Sequence, residues 1–328
     1  MRLIGVTPST APVGGIAKLL DYTVHAARLG YEAIFAPLDV RDGESVLFEK
    51  PYFLRHGHTV EVTRFFEIEP RPGDVVLFTL PSNHKHILAH YAQVDARLIH
   101  LIQNVRHANI HFDSGYAFRL LAKPMTRIAI TAPVRDAVAP FVEDRERLHL
   151  INHGFDFQSF DRRPLPDDPM AIAYNTFKSD LGEEIVAAAT DAGLDVPVHV
   201  VKRGASWEEL ARSYHSATVF LGTPLMEEGL YLPALEAMAA GCVPILSDAG
   251  GTRFYTDFDE NALEVGFENI SGYVHALLQL RDNWDSLAQR LRCNAYETAK
   301  GMDLDLECDG FEALMSETAQ RQPMMERV

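Results

Sequence analysis

The stretch Glu228-Gly-Leu-Tyr-Leu-Pro-Ala-Leu-Glu236-Ala-Met-Ala-Ala-Gly241-Cys-Val-Pro244 decides how the rest of the chain is read. Pro233 suits the first position of a helix, where its missing N–H costs nothing. Residues 234–240 are strong helix formers, and Gly241 is a natural C-terminal stop. The spacing predicts a short helix with Glu236 in its first turn and Glu228 in the loop before it, followed by a buried strand over 243–246. The backbone N–H groups of Gly229, Leu230, Tyr231 and Leu232 point out of the N-terminus of such a helix and make a ready anion site. An anion cradle flanked by two carboxylates able to hold hydroxyls is the chemistry of a nucleotide-sugar site.

Outward from this segment, short β-like runs alternate with helical stretches, which predicts parallel α/β layers in both halves of the chain. Strands are expected at 3–6, 33–36, 75–80, 98–102, 128–130 and 148–151, then at 171–174, 198–201 and 218–221. Ile16, Leu19, Leu20, Val24 and Ala27 repeat at helical spacing, and Gly30 closes that helix. Ser206-Trp-Glu-Glu209 starts another helix as a capping box. Between the halves lies a proline- and charge-rich linker, Asp161-Arg-Arg-Pro-Leu-Pro-Asp-Asp-Pro169.

Composition narrows the class. A chain of 328 residues is long enough for two domains, each with its own core. Its net charge of -16 argues against nucleic acid and against broad docking on anionic lipid. No apolar run approaches a membrane span, and the sequence opens directly on a strand-like run without a signal peptide. Three cysteines without metal or disulfide spacing suit a reducing compartment. The expected location is the cytoplasm or the cytoplasmic face of the membrane.

The segment 228–244 resembles the Glu-x7-Glu motif of retaining glycosyltransferases of family 4, which reads E-x-F-G-x-x-x-x-E-A-M-A-x-G-x-P. Leu230 and Tyr231 stand where that family has Phe-Gly. Ile151-Asn-His-Gly-Phe-Asp-Phe-Gln-Ser-Phe160 resembles its I-x-N-G-V-D-x-x-x-F, with His153 for Asn and Phe155 for Val. The resemblance implies a GT-B fold, two Rossmann-like α/β domains facing each other across a cleft. Residues 1–160 would form the acceptor-side domain and 161–170 the hinge. Residues 171–302 would bind the nucleotide sugar, and 303–328 would cross back to the first domain.

The same resemblance implies roles. Glu236 holds the ribose hydroxyls, and Glu228 the sugar or its neighbouring backbone. Gly14 and Gly15, the amides after Glu228, and Lys178 meet the diphosphate. Asn175 replaces an expected Arg, and Lys202 with Arg203 can supply the missing charge. His107 is the candidate beside the donor sugar, with His100 and His111 as rivals. Gly250 and Gly251 are close-approach positions, Phe254 replaces a Glu, and Arg253 is left open between a diphosphate contact and a structural role. A nucleoside-diphosphate sugar is then the donor, a glycan, lipid or small molecule the acceptor, and neither metal nor another cofactor is required. Residues 41–69 are the expected acceptor loop.

Other chemistries fit less well. The glycines at 14 and 15 lack the Gly-x-Gly-x-x-Gly spacing of a dinucleotide site, and no Walker loop occurs. His84, His86 and His90 share one expected helix, but no Cys or carboxylate stands at ligand spacing. Asp303-Leu-Asp305 lies far from the nucleotide-binding pattern. A sugar-nucleotide epimerase of the same fold and a non-catalytic sugar-nucleotide binder are the alternatives.

Overall fold

Burial along the whole of β1 (Arg2–Thr7) is what a parallel strand covered on both faces requires. The structure, a computed structural model, describes residues 1–11, 13–40, 45–162 and 169–320. After β1 the chain runs through α1 (Gly14–Arg28), β2 (Glu32–Pro37), α2 (Pro51–His56), β3 (Glu61–Val62), β4 (Val75–Phe78), α3 (Pro81–His90) and β5 (Arg97–Ile102). It continues through α4 (Tyr116–Leu120), β6 (Thr126–Ala129), α5 (Ala132–Val138) and β7 (Leu148–Leu150). These strands make one sheet in the order β3-β2-β1-β4-β5-β6-β7, every pair parallel.

A second parallel sheet, ordered β12-β11-β10-β8-β9, follows. Its elements are β8 (Ile172–Asn175), α6 (Leu181–Asp191), β9 (Val198–Val201), α7 (Trp207–His215), β10 (Val219–Gly222), α8 (Leu232–Ala239), β11 (Val243–Ser247) and β12 (Leu263–Val265). Helices α9 (Ile270–Asp282) and α10 (Gln289–Lys300) complete this layer, and α11 (Leu304–Gln320) ends the described chain. The strands β3 and β12, of two and three residues, are too short to show alternation and escape the sequence pattern.

The described residues form two compact units, 1–153 with α11, and 154–303. Residues 154–160, assigned from sequence to the first domain, therefore belong to the second unit. Phe155, Phe157 and Phe160 enter its core with Phe220, Tyr231 and Leu235, and the Phe155 N–H donates to the Met302 carbonyl at 2.9 Å. Burying a large apolar side chain contributes roughly 1.5–3 kcal/mol, so three phenylalanines decide the membership. Of the linker, residues 163–168 lie outside the described residues, as do 41–44 of the expected acceptor loop.

The capping box forms at α7, where Ser206 Oγ accepts from the Glu209 N–H at 3.2 Å and Glu209 Oε2 accepts from the Ser206 N–H at 2.8 Å. Gly241, at φ 84°, takes the left-handed conformation that ends α8.

The first unit buries a polar cluster where α1 meets α11. Lys18 Nζ donates to both Glu307 oxygens, at 2.6 and 2.8 Å, and lies 3.4 Å from Asp21. Lys50 Nζ donates to Asp21 Oδ2 at 2.6 Å. His25 Nε2 lies 2.9 Å from Glu307 Oε1, and His153 Nδ1 is 3.3 Å from Oε2. Burial alone would raise the Glu307 carboxyl, but Lys18, His153 and His25 outweigh it and hold the group well below the usual carboxylate range.

Candidate functional site

In the second unit the strand order reverses between β8 and β10, since β9 is added on one side of β8 and β10 on the other. Ligands of open α/β sheets bind beyond the carboxyl ends of the strands at such a point. Asn175 ends β8 there and is buried, and Lys178 follows three residues later. The loop after β10 brings Glu228 to the same place, where its carboxylate accepts from Lys178 Nζ. Lys178 Nζ also stands 5.9 Å from the ring centre of Tyr231, which is buried beneath it. The Lys178 side chain is 39% exposed and that of Glu228 11%, so the pair faces solvent on the lysine side.

Helix α8 starts one residue earlier than the proline pattern predicts, at Leu232. Pro233 is its second residue and Glu236 its fifth, in the second turn. Proline is tolerated throughout the first turn, where no intrahelical donor is needed. Glu236 is the one charged residue of this helix, whose Ala234, Leu235, Ala237, Met238 and Ala239 are all buried. Its neighbours thereby fix the helix and aim a nearly buried carboxylate from it. Of the amides expected to face an anion, that of Tyr231 donates to the Gly251 carbonyl at 3.4 Å. Among the described residues nothing accepts from those of Gly229 and Leu230.

The loop after β11 lies directly under Glu228. A Cβ on Gly251 would stand 2.8 Å from Glu228 Cβ and 2.9 Å from the Leu230 nitrogen, and one on Gly250 would stand 3.3 Å from the Glu228 carbonyl oxygen. Thr252 is fully buried and locks the turn: its Oγ1 accepts from the Ala249 N–H at 2.8 Å and lies 3.0 Å from the Ser247 carbonyl oxygen. Tyr255 donates its hydroxyl to the Tyr231 carbonyl at 2.9 Å. Arg253 pairs with Asp248 through two bonds of 2.9 and 2.7 Å, and Phe254 packs on the core. Arg203 donates to the Phe177 carbonyl at 2.7 Å and so steadies the loop that carries Lys178, while Lys202 is exposed.

The remaining sequence candidates lie in the first unit. Its strand order reverses between β1 and β4. Gly14 has open space where a side chain would be, and the Gly15 carbonyl accepts from Gln103 Nε2 at 3.0 Å. Gln103 also donates to Thr79 Oγ1 at 3.0 Å. His107 is buried, its ring 5.1 Å from that of His100. Burial, with Arg106 beside it, lowers His107 to about 4, so the ring is neutral at neutral pH. His100 is pushed well below its usual range by burial and by His107 and Arg127, whereas His111 is exposed.

His84 Nδ1 meets the Tyr116 hydroxyl at 2.9 Å, and His90 Nε2 the Ile68 carbonyl at 2.8 Å. Among the described residues no group of three or more His, Cys, Asp or Glu is placed to hold a metal ion. Asp305 accepts from Arg28 at 2.7 Å. Of the described helices, none is long and apolar enough to cross a membrane. The sequence pattern did not single out Gln103, Thr252 or Tyr255. A threonine directly after Gly-Gly is the kind of turn signal that points to Thr252, while Tyr255 carries no local mark.

Residues 180–298, about a third of the chain, match the family model of the glycosyl transferases group 1. No curated protein sequence matches the chain. Solved structures are similar over nearly all of it. HepE of Anabaena, solved with UDP and glucose, has a TM-score of 0.74 at 13% identity, covering 97% of this chain and 100% of that one. A glycosyltransferase from Rickettsia africae has 0.71 at 11% identity, covering 98% and 99%. A sucrose-phosphate synthase from Thermosynechococcus elongatus has 0.68 at 14%, covering 97% and 99%. At these identities the likeness establishes the fold, which is GT-B, with two Rossmann-like α/β domains.

Proposed function

We propose that the chain is a retaining glycosyltransferase moving a hexose from a nucleoside-diphosphate sugar to a hydroxyl of a glycan, lipid or small-molecule acceptor. One observation carries this: Lys178 and Glu228 pair at the switch point of the second sheet. Glu228 and the α8 carboxylate Glu236 lie within the residues that match the group 1 family model. HepE and its UDP complex lend support through the shared fold.

In this reading Glu236 holds the ribose hydroxyls and Glu228 the sugar. The C1–oxygen bond to the diphosphate breaks with its electron pair going to phosphate. The acceptor oxygen bonds C1 on the same face, and its proton passes to the departing phosphate. Lys178, released from Glu228, meets the developing negative charge together with the amides of Gly229 and Leu230. Asn175 is neutral, so Lys178 supplies most of the side-chain charge, with Lys202 and Arg203 beyond β9. The loop amides at the start of α8 and the lysine then take the place of a metal. The donor site proposed here is built from the second unit alone. The acceptor falls to the first unit.

Calorimetric titration of UDP, GDP and ADP into the wild type and Glu236→Ala tests the reading. One nucleotide should bind selectively, and loss of the charged hydrogen bond should weaken it by about 1.5–3 kcal/mol, roughly ten- to a hundredfold. Absence of binding to all three sinks the donor site. The neutral Asn175 favours a second reading, a binder that never turns over. Nucleotide affinity without release of nucleoside diphosphate from any sugar nucleotide would select it.

A further inference from the structure

The geometry points to Gly251 as a positioning residue that sets the height of Glu228 above the second sheet. The turn Asp248-Ala-Gly-Gly-Thr-Arg253 is held from within by buried Thr252, and Asp248 and Arg253 pair across its ends on the solvent side. The loop carrying Glu228 rests on this turn at several points. The Gly250 N–H donates to the Met226 carbonyl at 3.4 Å, the Tyr231 N–H donates to the Gly251 carbonyl at 3.4 Å, and Tyr255 holds the Tyr231 carbonyl at 2.9 Å.

Between these contacts the two backbones touch at Gly251. A methyl group there would meet Glu228 Cβ at 2.8 Å, the Leu230 nitrogen at 2.9 Å and the Glu228 carbonyl carbon at 3.0 Å. None of the three is the far end of a flexible side chain, so one backbone must move. The turn is held from within by the buried Thr252 hydroxyl at 2.8 and 3.0 Å, whereas the backbone amides of the Glu228 loop make longer bonds of 3.2–3.4 Å, and this loop is the side that yields. Gly251 is not in the left-handed region, so alanine is compatible with its φ and the substitution is a steric probe alone. Gly250 is the internal control, because its added methyl would meet only carbonyl oxygens, at 3.3 and 3.7 Å.

The kinetic part of this inference rests on the donor site proposed above, and the structural part does not. Crystal structures and donor turnover of Gly251→Ala and Gly250→Ala test both. In Gly251→Ala the main chain at 228–230 should be displaced and the Lys178–Glu228 pair broken, with the melting temperature near that of the wild type. Its kcat/KM should fall about a hundredfold, as for a reacting group misplaced by an ångström. Gly250→Ala, with its looser contact, should lower it at least tenfold less than Gly251→Ala.

In a Glu228→Ala background the Gly251→Ala change should add less than tenfold, because it acts through the group already removed. Tyr255→Phe, which frees the other support of the same loop, should lower kcat/KM several-fold and serves if Gly251→Ala does not fold. An unmoved Glu228 main chain in Gly251→Ala, an equal fall in the Glu228→Ala background, or an unchanged Tyr255→Phe each overturns the inference. A wild type that releases no nucleoside diphosphate while Gly251→Ala shows a displaced Glu228 overturns the proposed function and supports the inference.

Discussion

Lys18, Asp21, Lys50 and Glu307 of the first unit are sealed in its interior, whereas Lys178 and Glu228 of the second stand at the edge of its sheet. Both units are parallel sheets with one reversal of strand order, so the contrast does not come from architecture. It comes from what each charge can do next. A buried ammonium that loses its carboxylate is left uncompensated, at a cost of roughly 3–5 kcal/mol, so such a pair holds still. A partly exposed pair contributes about 0–1 kcal/mol and can trade its partner for a ligand at little expense. Charge inside the first unit is therefore fixed in place, and the Lys178–Glu228 pair at the edge of the second can exchange its partners.

The sharpest way to break this contrast is Glu307→Ala, which leaves Lys18 and Lys50 to share the one buried carboxylate of Asp21. It should destabilise the first unit by roughly 3–5 kcal/mol and lower its melting temperature on the order of 10 °C. Hydrogen exchange should find α1 deprotected and β8–β11 unchanged. Next comes Lys178→Ala, for which turnover should fall about a hundred- to a thousandfold while calorimetry shows an unchanged melting temperature. Comparable unfolding in both variants would erase the distinction.

Acid supplies a third probe. His107 and His153 are each lowered to about 4 by burial, and His100 well below its usual range, all in the first unit. The unfolded chain takes up these protons near pH 6.5 and the folded one only near pH 4. Stability is thus complete above pH 6.5 and falls as pH drops through that window, by up to about 3 kcal/mol for His107 and again for His153. Among the described residues the second unit buries no histidine, so denaturant titrations at pH 7 and pH 4.5 should weaken the first unit preferentially. The smallest effect belongs to Thr252→Val, about 1–3 kcal/mol off the second unit as the turn loses its buried hydroxyl. A midpoint unmoved in urea would show that Thr252 is not what holds the turn.

How much of this was legible in the sequence follows from the range over which each signal acts. The strand, loop and helix around Glu228 and Glu236 are written in adjacent residues, and so is the box at Ser206. Helix α8 starts one residue before the proline pattern predicts because proline is accepted at more than one position of a first turn. The membership of residues 154–160 depended on where three phenylalanines find their core, which the proline-rich linker after them obscured. His107 stands where the sequence placed it, after β5, but its burial is set by rings and strands that no local pattern announces. The pairing of Lys18 with Glu307 spans 289 positions and has no local trace at all.

That span has a consequence for how the protein is made. The first helix emerges early from the ribosome, yet Glu307, which accepts both of the short bonds from its Lys18, is synthesised only after the whole second unit. At about 5–20 residues per second the wait is roughly 15–60 s. Until then the first unit has a hole where α11 will dock, and Lys18 and Lys50 have only Asp21 between them. The second unit, made in one continuous stretch, is free to fold in the meantime. A nascent chain released before residue 307 would carry its defect at the beginning rather than at the break.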